Sequence, residues 1–581
     1  MSRISARCVR RLSTRSAWSL SVAALVAAGL WTAPPLHAAQ PDNAQPVVGR
    51  HGMVASSSPI ASQVGVDIMK KGGNAIDAAV AVGFAEAVTH PFAGNLGGGG
   101  FMVIHLADGR DTTIDYREVA PGKASRDMYL DANGNPTDQS RVGPLAVGVP
   151  GSVAGLAYAE RKYGKLKLAD VIAPAIALAE HGFVLNEAEA ASMARARPLF
   201  EKWPATAKIF LKDGQPYQAG DRLVQTDLAR TLRLIAAKGP DAFYRGPIAD
   251  QIAAEMQAHG GLITKADLAA YKPVERKPIT GTYRGYRIVS MPPASSGGIA
   301  IVELLNILEG LPIAKDGFNT PATIHLMAEA EKRVYADRSK WLGDTAFFHV
   351  PEVGLESKRY AAKLRAEIGP RATPATEIQP GQPALHESRQ TTHYSVVAPD
   401  GSAVSTTTTL NGGYGNGEVV AGAGFLLNNE MDDFSAKPGS PNMFGLIGGV
   451  ANAIEPGKRM LSSMSPTIVT KNGKVFLVVG SPGGSYIITA VLQVIMNVID
   501  HGMNIQQAVD APRFHDQWLP DYIRIERRGF PPALVSALEG MGYQVKEEGD
   551  MGDVEAVMID PRTGTLYGAA DPRAGGKAVG Y

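Results

Sequence analysis

Apolar residues recur at intervals of three and four soon after residue 57. "SPIASQVGVDIMKKGG" predicts a helix closed by Gly72-Gly73, and "NAIDAAVAVGFAEAVTH" a second, alanine-rich helix with Asn74 as its N-cap. After "NLGGGG", residues 95–100, the period shortens to two, and "FMVIHL" and "TTIDY" predict a strand pair joined at Asp108-Gly109. Helical patterning then governs residues 155–275 and continues through "GIAIVELLNILEG" and "IHLMAEAEKRVYADRSKWL" to about residue 342. Residues 371–388, "RATPATEIQPGQPALHES", have no period and several prolines, the texture of a linker. Beyond it strands dominate: "TTHYSVVA", an Asp400-Gly401 turn, "SAVSTTTTL", then "PTIVTKNGKVFLVVG" turning at Asn472-Gly473. A helix at "YIITAVLQVIMNVIDHG" and a closing strand pair complete the chain, so an α+β arrangement of stacked antiparallel sheets covered by helices is expected.

Composition narrows the function classes. The 581 residues are 45% hydrophobic and 19% charged with a net charge of +1, enough to bury a large core and too balanced to hold nucleic acid or an anionic membrane. At the N-terminus five arginines up to Arg15 precede the apolar run "AWSLSVAALVAAGLW", which ends in "PPLHAAQ". This predicts a signal peptide, residues 1–39, cut near Ala38 or Ala39; the run is shorter than the roughly 20 residues that a spanning helix needs. The protein is therefore expected to be periplasmic or secreted, with no membrane attachment after cleavage. Its one cysteine, Cys8, lies inside the signal, which excludes disulfides and thiol chemistry from the mature chain. No motif demands a cofactor or a metal.

Thr391, at the head of "TTHYSVV", raises a chemical question because a threonine hydroxyl is a poor nucleophile. Were the Gln390–Thr391 bond cut, that hydroxyl would sit beside a free α-amine of reference pKa about 7.7–8.0, against about 10.4 for lysine. One residue would then supply both nucleophile and base. Thr391 has company: "LLNNEMDDFS" at 426–435, "LSSMSPTIV" at 461–469, "GSPGG" at 480–484, "GNLGGGGFM" at 94–102, "IDYREVAPG" and "ADPR". With these motifs in this order, from about residue 46 to Tyr581, the chain resembles the γ-glutamyltranspeptidases of the bacterial periplasm.

The resemblance implies the N-terminal-nucleophile hydrolase fold, a four-layer αββα sandwich. It implies self-cleavage into a large subunit, residues 40–390, and a small catalytic subunit, residues 391–581, that stay together as a heterodimer. Thr391 would be nucleophile, oriented by Thr409, with an oxyanion held by the backbone of Gly483 and Gly484. Arg117 would pair with the substrate carboxylate, aided by Ser462 and Ser463, while Asp433, Glu430 and Asn411 would receive the α-ammonium. Glu430 stands where several family members have glutamine, an additional charge toward an ammonium. Substrates would be γ-glutamyl amides such as glutathione or glutamine, with amine acceptors. Residues 438–449 match a lid; Phe444 replaces a frequent tyrosine that reaches the asparagine, so a lid closing by packing is expected. An acylase of the same fold, or an exported binding protein that never matures, are the rival readings.

Overall fold

Turn dipeptides that accept positive φ fold the chain back on itself where the pattern predicts, at Gly109 (φ 85°), Gly401 (84°) and the Asn472-Gly473 pair (52° and 76°). The computed structural model describes residues 44–383 and 393–581. The expected signal segment 1–39, Gln390 and Thr391 lie outside the described residues. In chain order the strands of the two main sheets are β1 (Val47–Gly49), β2 (Met53–Ser56), β3 (Gly99–His105), β4 (Asp111–Tyr116), β5 (Val274–Arg276), β6 (Ile279–Tyr283) and β7 (Tyr286–Ser290). After them come β8 (Tyr394–Val397), β9 (Ala403–Thr409), β10 (Thr467–Lys471), β11 (Lys474–Gly480), β12 (Glu555–Ile559), β13 (Leu566–Ala569) and β14 (Lys577–Gly580).

One seven-stranded sheet runs β1-β13-β12-β11-β10-β7-β6 and the other β14-β2-β8-β9-β3-β4-β5, with antiparallel neighbours throughout. The sheets face one another through β8, β9, β11 and β12. Helices α1 (Pro59–Lys70) and α2 (Ala75–Thr89) cover the outer side of the second sheet. Helices α3 (Gly297–Glu309), α4 (Pro321–Trp341) and α5 (Tyr486–Ile499) form the layer outside the first. Helix, sheet, sheet, helix is the αββα order the motifs led us to expect.

Local chemistry explains the layers. Asn74 caps α2 in a reciprocal box with Asp77, and every residue of α2 is buried. Its alanines let it approach both β9 and the helix Leu168–His181. The hairpin β6–β7 carries no Asn-Gly or Asp-Gly; it turns at Arg284-Gly285 (φ 46° and 81°), and no strand was expected there. The three- and four-residue strands β1, β2, β5 and β14 are too short to show a period. Residues 371–383, read as linker, are strapped down: the Thr373 hydroxyl donates to Glu329 (2.6 Å), the Ala375 amide to Asp521 (2.7 Å) and the Gly381 amide to Asp337 (2.5 Å).

Candidate active site

The pocket forms where five separate stretches end. β9 finishes at Thr409, whose Oγ1 accepts from the Asn411 amide (2.7 Å), and Asn411 itself takes the left-handed conformation (φ 73°) that asparagine tolerates better than most residues. The Asn411 Nδ2 donates to the Asn429 carbonyl (3.0 Å) and toward Met443 Sδ (3.5 Å), so its Oδ1 remains an acceptor. A 3₁₀ turn, Glu430–Asp433, brings its two outer carboxylates to the same cavity. Ser462 and Ser463 arrive on an extended segment held to Ser295 and Ser296, both of which donate side-chain hydrogen bonds to the Ser462 carbonyl (2.9 and 2.8 Å). The turn after β11 supplies Gly484. These residues, with Phe444 and Leu446, enclose about 40 Å³.

Gly483 and Gly484 adopt φ of 132° and 59°, and a Cβ on Gly484 would strike the Phe444 ring at 2.4 Å. Among the described residues neither glycine N–H has an acceptor, and α5 starts immediately afterwards, adding the positive end of its dipole. Below Thr409, Asn95 organises the glycine loop: its Nδ2 donates to the Thr409 carbonyl (2.8 Å) and its Oδ1 accepts from the Gly98 amide (2.9 Å). Gly98 packs so closely that a Cβ would lie 2.0 Å from the same carbonyl. The loop is a floor under the site.

Arg117 is fully buried and sits behind the pocket. Its Nη1 donates to Glu430, its Nη2 to Asp433 (2.6 Å), and Glu118 approaches to 3.9 Å. Burial pushes all three carboxyls up, Glu118 to about 7, while Arg117 opposes the rise; Arg117 itself is raised because the surrounding acids outweigh the cost of burying it. Three acids around one guanidinium leave an excess of acceptors. Both Glu118 oxygens and Glu430 Oε2 have no hydrogen-bond partner among the described residues. A buried, over-acidic cluster of this kind favours the arrival of a cation.

Sequence reasoning missed several contributors. Arg338, on α4, is buried and donates from Nε to Ser296 Oγ (2.8 Å) and from Nη2 to Ser463 Oγ (3.0 Å), fixing the serine pair from behind. Only helical spacing marks Arg338 in the sequence, so nothing local singled it out. Asp432 accepts from the Met443 amide (2.9 Å) and Asn442 Nδ2 donates to Asp433 (3.1 Å), which ties the 438–449 loop to the acidic turn. His393 is bracketed by the Glu555 carbonyl, Ser395 and Ser405, and burial lowers its pKa to about 3, which suits a neutral structural imidazole. Glu255, His259 and Glu418 bring ligand-type atoms within 4.8 Å of one another, but His259 and Glu418 already satisfy each other at 2.6 Å and none of the three lines the pocket.

Comparisons with known proteins bear on the chain as a whole. The family model described as Gamma-glutamyltranspeptidase matches residues 61–581. The glutathione hydrolase proenzyme of Escherichia coli K12 is 54% identical over 562 residues, covering 96% of each chain. That of Pseudomonas sp. strain A14 is 52% identical over 548 residues, covering 92% of this chain and 95% of its own. The crystal structure of a cephalosporin acylase from Bacillus halodurans superposes with a TM-score of 0.83 at 32% identity, covering 94% of this chain and 99% of the other.

Proposed function

The chain belongs to the γ-glutamyltranspeptidase family, and from that premise we propose that it is an autoprocessing γ-glutamyl hydrolase and transferase acting on γ-glutamyl amides such as glutathione and glutamine. The proposed nucleophile is Thr391, freed when its own hydroxyl attacks the Gln390 carbonyl and water opens the resulting ester. The register of the central hairpin supports that assignment. Tyr394 pairs with Thr406 and Val397 with Ala403, so the strand that follows Thr391 in the chain lies beside β9, the strand that ends at Thr409.

In the mature enzyme the free amine of Thr391 takes the hydroxyl proton, and Oγ1 attacks the substrate's γ-carbonyl. Thr409 orients that hydroxyl. Negative charge on the carbonyl oxygen is met by the N–H groups of Gly483 and Gly484. The amide C–N bond breaks, the departing amine takes the proton, and a γ-glutamyl-threonine ester remains. Water or an amine then attacks the ester carbonyl, the C–O bond breaks, and the Thr391 hydroxyl is restored.

The substrate's head group accounts for the acidic cluster. An amino-acid end carries one ammonium and one carboxylate. The ammonium goes to Asp433, Glu430 and the Asn411 Oδ1; Arg117, released from those acids, takes the carboxylate beside Ser462 and Ser463. Each charge of the substrate thus meets an opposite one, the ammonium at Asp433 and Glu430 and the carboxylate at Arg117. Because about 40 Å³ holds only a few waters, Phe444 and Leu446 must shift before the group enters. We further propose export to the periplasm after cleavage near residues 38–39. Residues 40–390 and 391–581 then remain as a heterodimer, because β2 pairs with β8 and β14, and β3 with β9.

One observation carries the choice of γ-glutamyl over other acyl groups: Glu430 and Asp433 line the cavity and both pair with the buried Arg117 behind it. An acylase substrate without an α-ammonium would leave acids unpaired, at about 1–3 kcal/mol for each unsatisfied group. Turnover of γ-glutamyl-p-nitroanilide should therefore exceed that of glutaryl-p-nitroanilide by at least about 10²-fold in kcat/KM. Equal rates would favour the acylase.

A further inference from the structure

A second chamber opens on the far side of the Phe444 ring. Phe444 lies against Gly484 and lines both the catalytic pocket and this outer space of about 540 Å³. The outer walls are largely aromatic and apolar, from Phe444, Tyr486, Tyr522 and Leu519, and one ion pair is set among them, Arg524 with Glu548 (3.2 Å). Tyr486 is two residues beyond Gly484, so the chamber begins where the proposed oxyanion turn ends.

Arg524 is held rigidly and is nearly buried, at 6% exposure. Its Nη1 donates to Gln517 Oε1 (2.9 Å) and its Nη2 to the Tyr522 hydroxyl (3.3 Å), and the guanidinium lies 4.8 Å from the Tyr522 ring centre and 5.9 Å from that of Tyr486. A guanidinium has five N–H donors. Gln517, Tyr522 and Glu548 account for three of them, so among the described residues two are unspent. Glu548, in contrast, is occupied at both oxygens, by Arg524 and by the Tyr486 hydroxyl (2.7 Å). The chamber therefore offers a fixed cation with donors to spare and no equivalent free anion.

We propose that this chamber is the subsite for the peptide side of the reaction, and that it recognises a free carboxylate through Arg524. The inference rests on the transferase reading above. An acceptor amino acid or dipeptide enters with its carboxylate on Arg524 and its side chain against Tyr486, Tyr522 and Leu519. Its neutral amine attacks the γ-glutamyl-threonine carbonyl. A C–N bond forms, the C–O ester bond breaks, and the amine's proton passes to Thr391 Oγ1. The same contact holds the carboxylate of the leaving peptide in the forward step. Acceptors of choice are small peptides and apolar amino acids with an unblocked carboxyl end.

Steady-state transfer from γ-glutamyl-p-nitroanilide to glycylglycine and to glycylglycine amide tests this, since the two acceptors share an amine and differ in the carboxylate. In the wild type the amide is expected to have a KM at least about tenfold higher, the scale of one charge-assisted contact. Arg524→Gln should abolish that difference. Glu548→Gln should widen it, because a competing carboxylate is removed; a purely structural ion pair would make both substitutions harmful and neither selective. Equal KM values for the two acceptors in the wild type overturn the proposal, and so does a difference that survives in Arg524→Gln. Should Arg524→Gln fail to fold, the wild-type and Glu548→Gln comparisons decide alone. Absence of donor hydrolysis by the wild type without any acceptor would overturn the enzyme reading, and this proposal with it.

Discussion

At the scale of single residues, the proposed chemistry depends on how Glu118, Glu430 and Asp433 share one guanidinium. Burial raises all three, with Glu118 reaching about 7. Below that pH Glu118 holds a proton and the cluster attracts an ammonium less; above it Glu118 is ionised and the cluster is more negative. The KM for a γ-glutamyl donor should accordingly fall several-fold between pH 6 and 8, whereas a donor analogue without the α-amine should show no such fall. A pH-independent KM for the γ-glutamyl donor would contradict this role. The motif "EMDD" made the carboxylates legible in sequence, because it came with "DYRE" and "LSSMS". Their mutual pairing with Arg117 was not legible, since it depends on a 3₁₀ turn meeting the end of β4 across more than 300 residues of chain.

At the scale of elements, the turn between β11 and α5 does the most with the least material. Gly483 and Gly484 take positive φ that side-chain-bearing residues rarely adopt, and in the proposed mechanism their N–H groups, followed at once by a helix start, meet the oxyanion. Gly484→Ala should lower kcat by about 10²-fold or more, the scale of one lost oxyanion donor, because a Cβ there displaces both the turn and the Phe444 ring. A near-normal kcat, measured on correctly processed protein, would remove the turn from the mechanism. "SPGG" by itself reads as an ordinary turn, and the positive φ of its two glycines is visible only in the structure. Elsewhere the pattern was reliable where a turn residue was diagnostic, as at Asp108-Gly109 and Asn472-Gly473, and silent at Arg284-Gly285, where arginine adopts the left-handed region unannounced. The strap at 371–383 looked loose because proline-rich polar chain has no period, yet Glu329, Asp337 and Asp521 satisfy its backbone and hydroxyl donors.

For the whole molecule, interleaved strands and buried acids set the terms of stability. Neither sheet can be drawn without strands from both sides of residue 390, so cutting that bond leaves the ladders intact. The core also holds carboxyls that burial keeps protonated: Glu86 on α2 is raised to about 8, with Asp553 beside it raised to about 7. Between the ordinary value of 4.5 and 8 the folded state keeps a proton on Glu86 that the unfolded chain releases, so stability falls as pH rises through that window. Glu86→Gln, which imitates the protonated form, should match wild type in Tm near pH 5 and exceed it by several degrees at pH 8.5. A variant no more stable than wild type at pH 8.5 would show that Glu86 is ionised at no cost. None of this could be read from a sequence with balanced charge, because burial is a property of the finished layers.

All of it converges on the amine proposed to be released at position 391. The most direct measurement is N-terminal sequencing and intact mass of the purified protein, for wild type and for Thr391→Ala. The account predicts two associated wild-type fragments, the smaller beginning Thr-Thr-His, and an uncut, inactive Thr391→Ala chain. An uncut wild-type chain that turns over γ-glutamyl-p-nitroanilide, or a Thr391→Ala protein that matures and remains active, would contradict it.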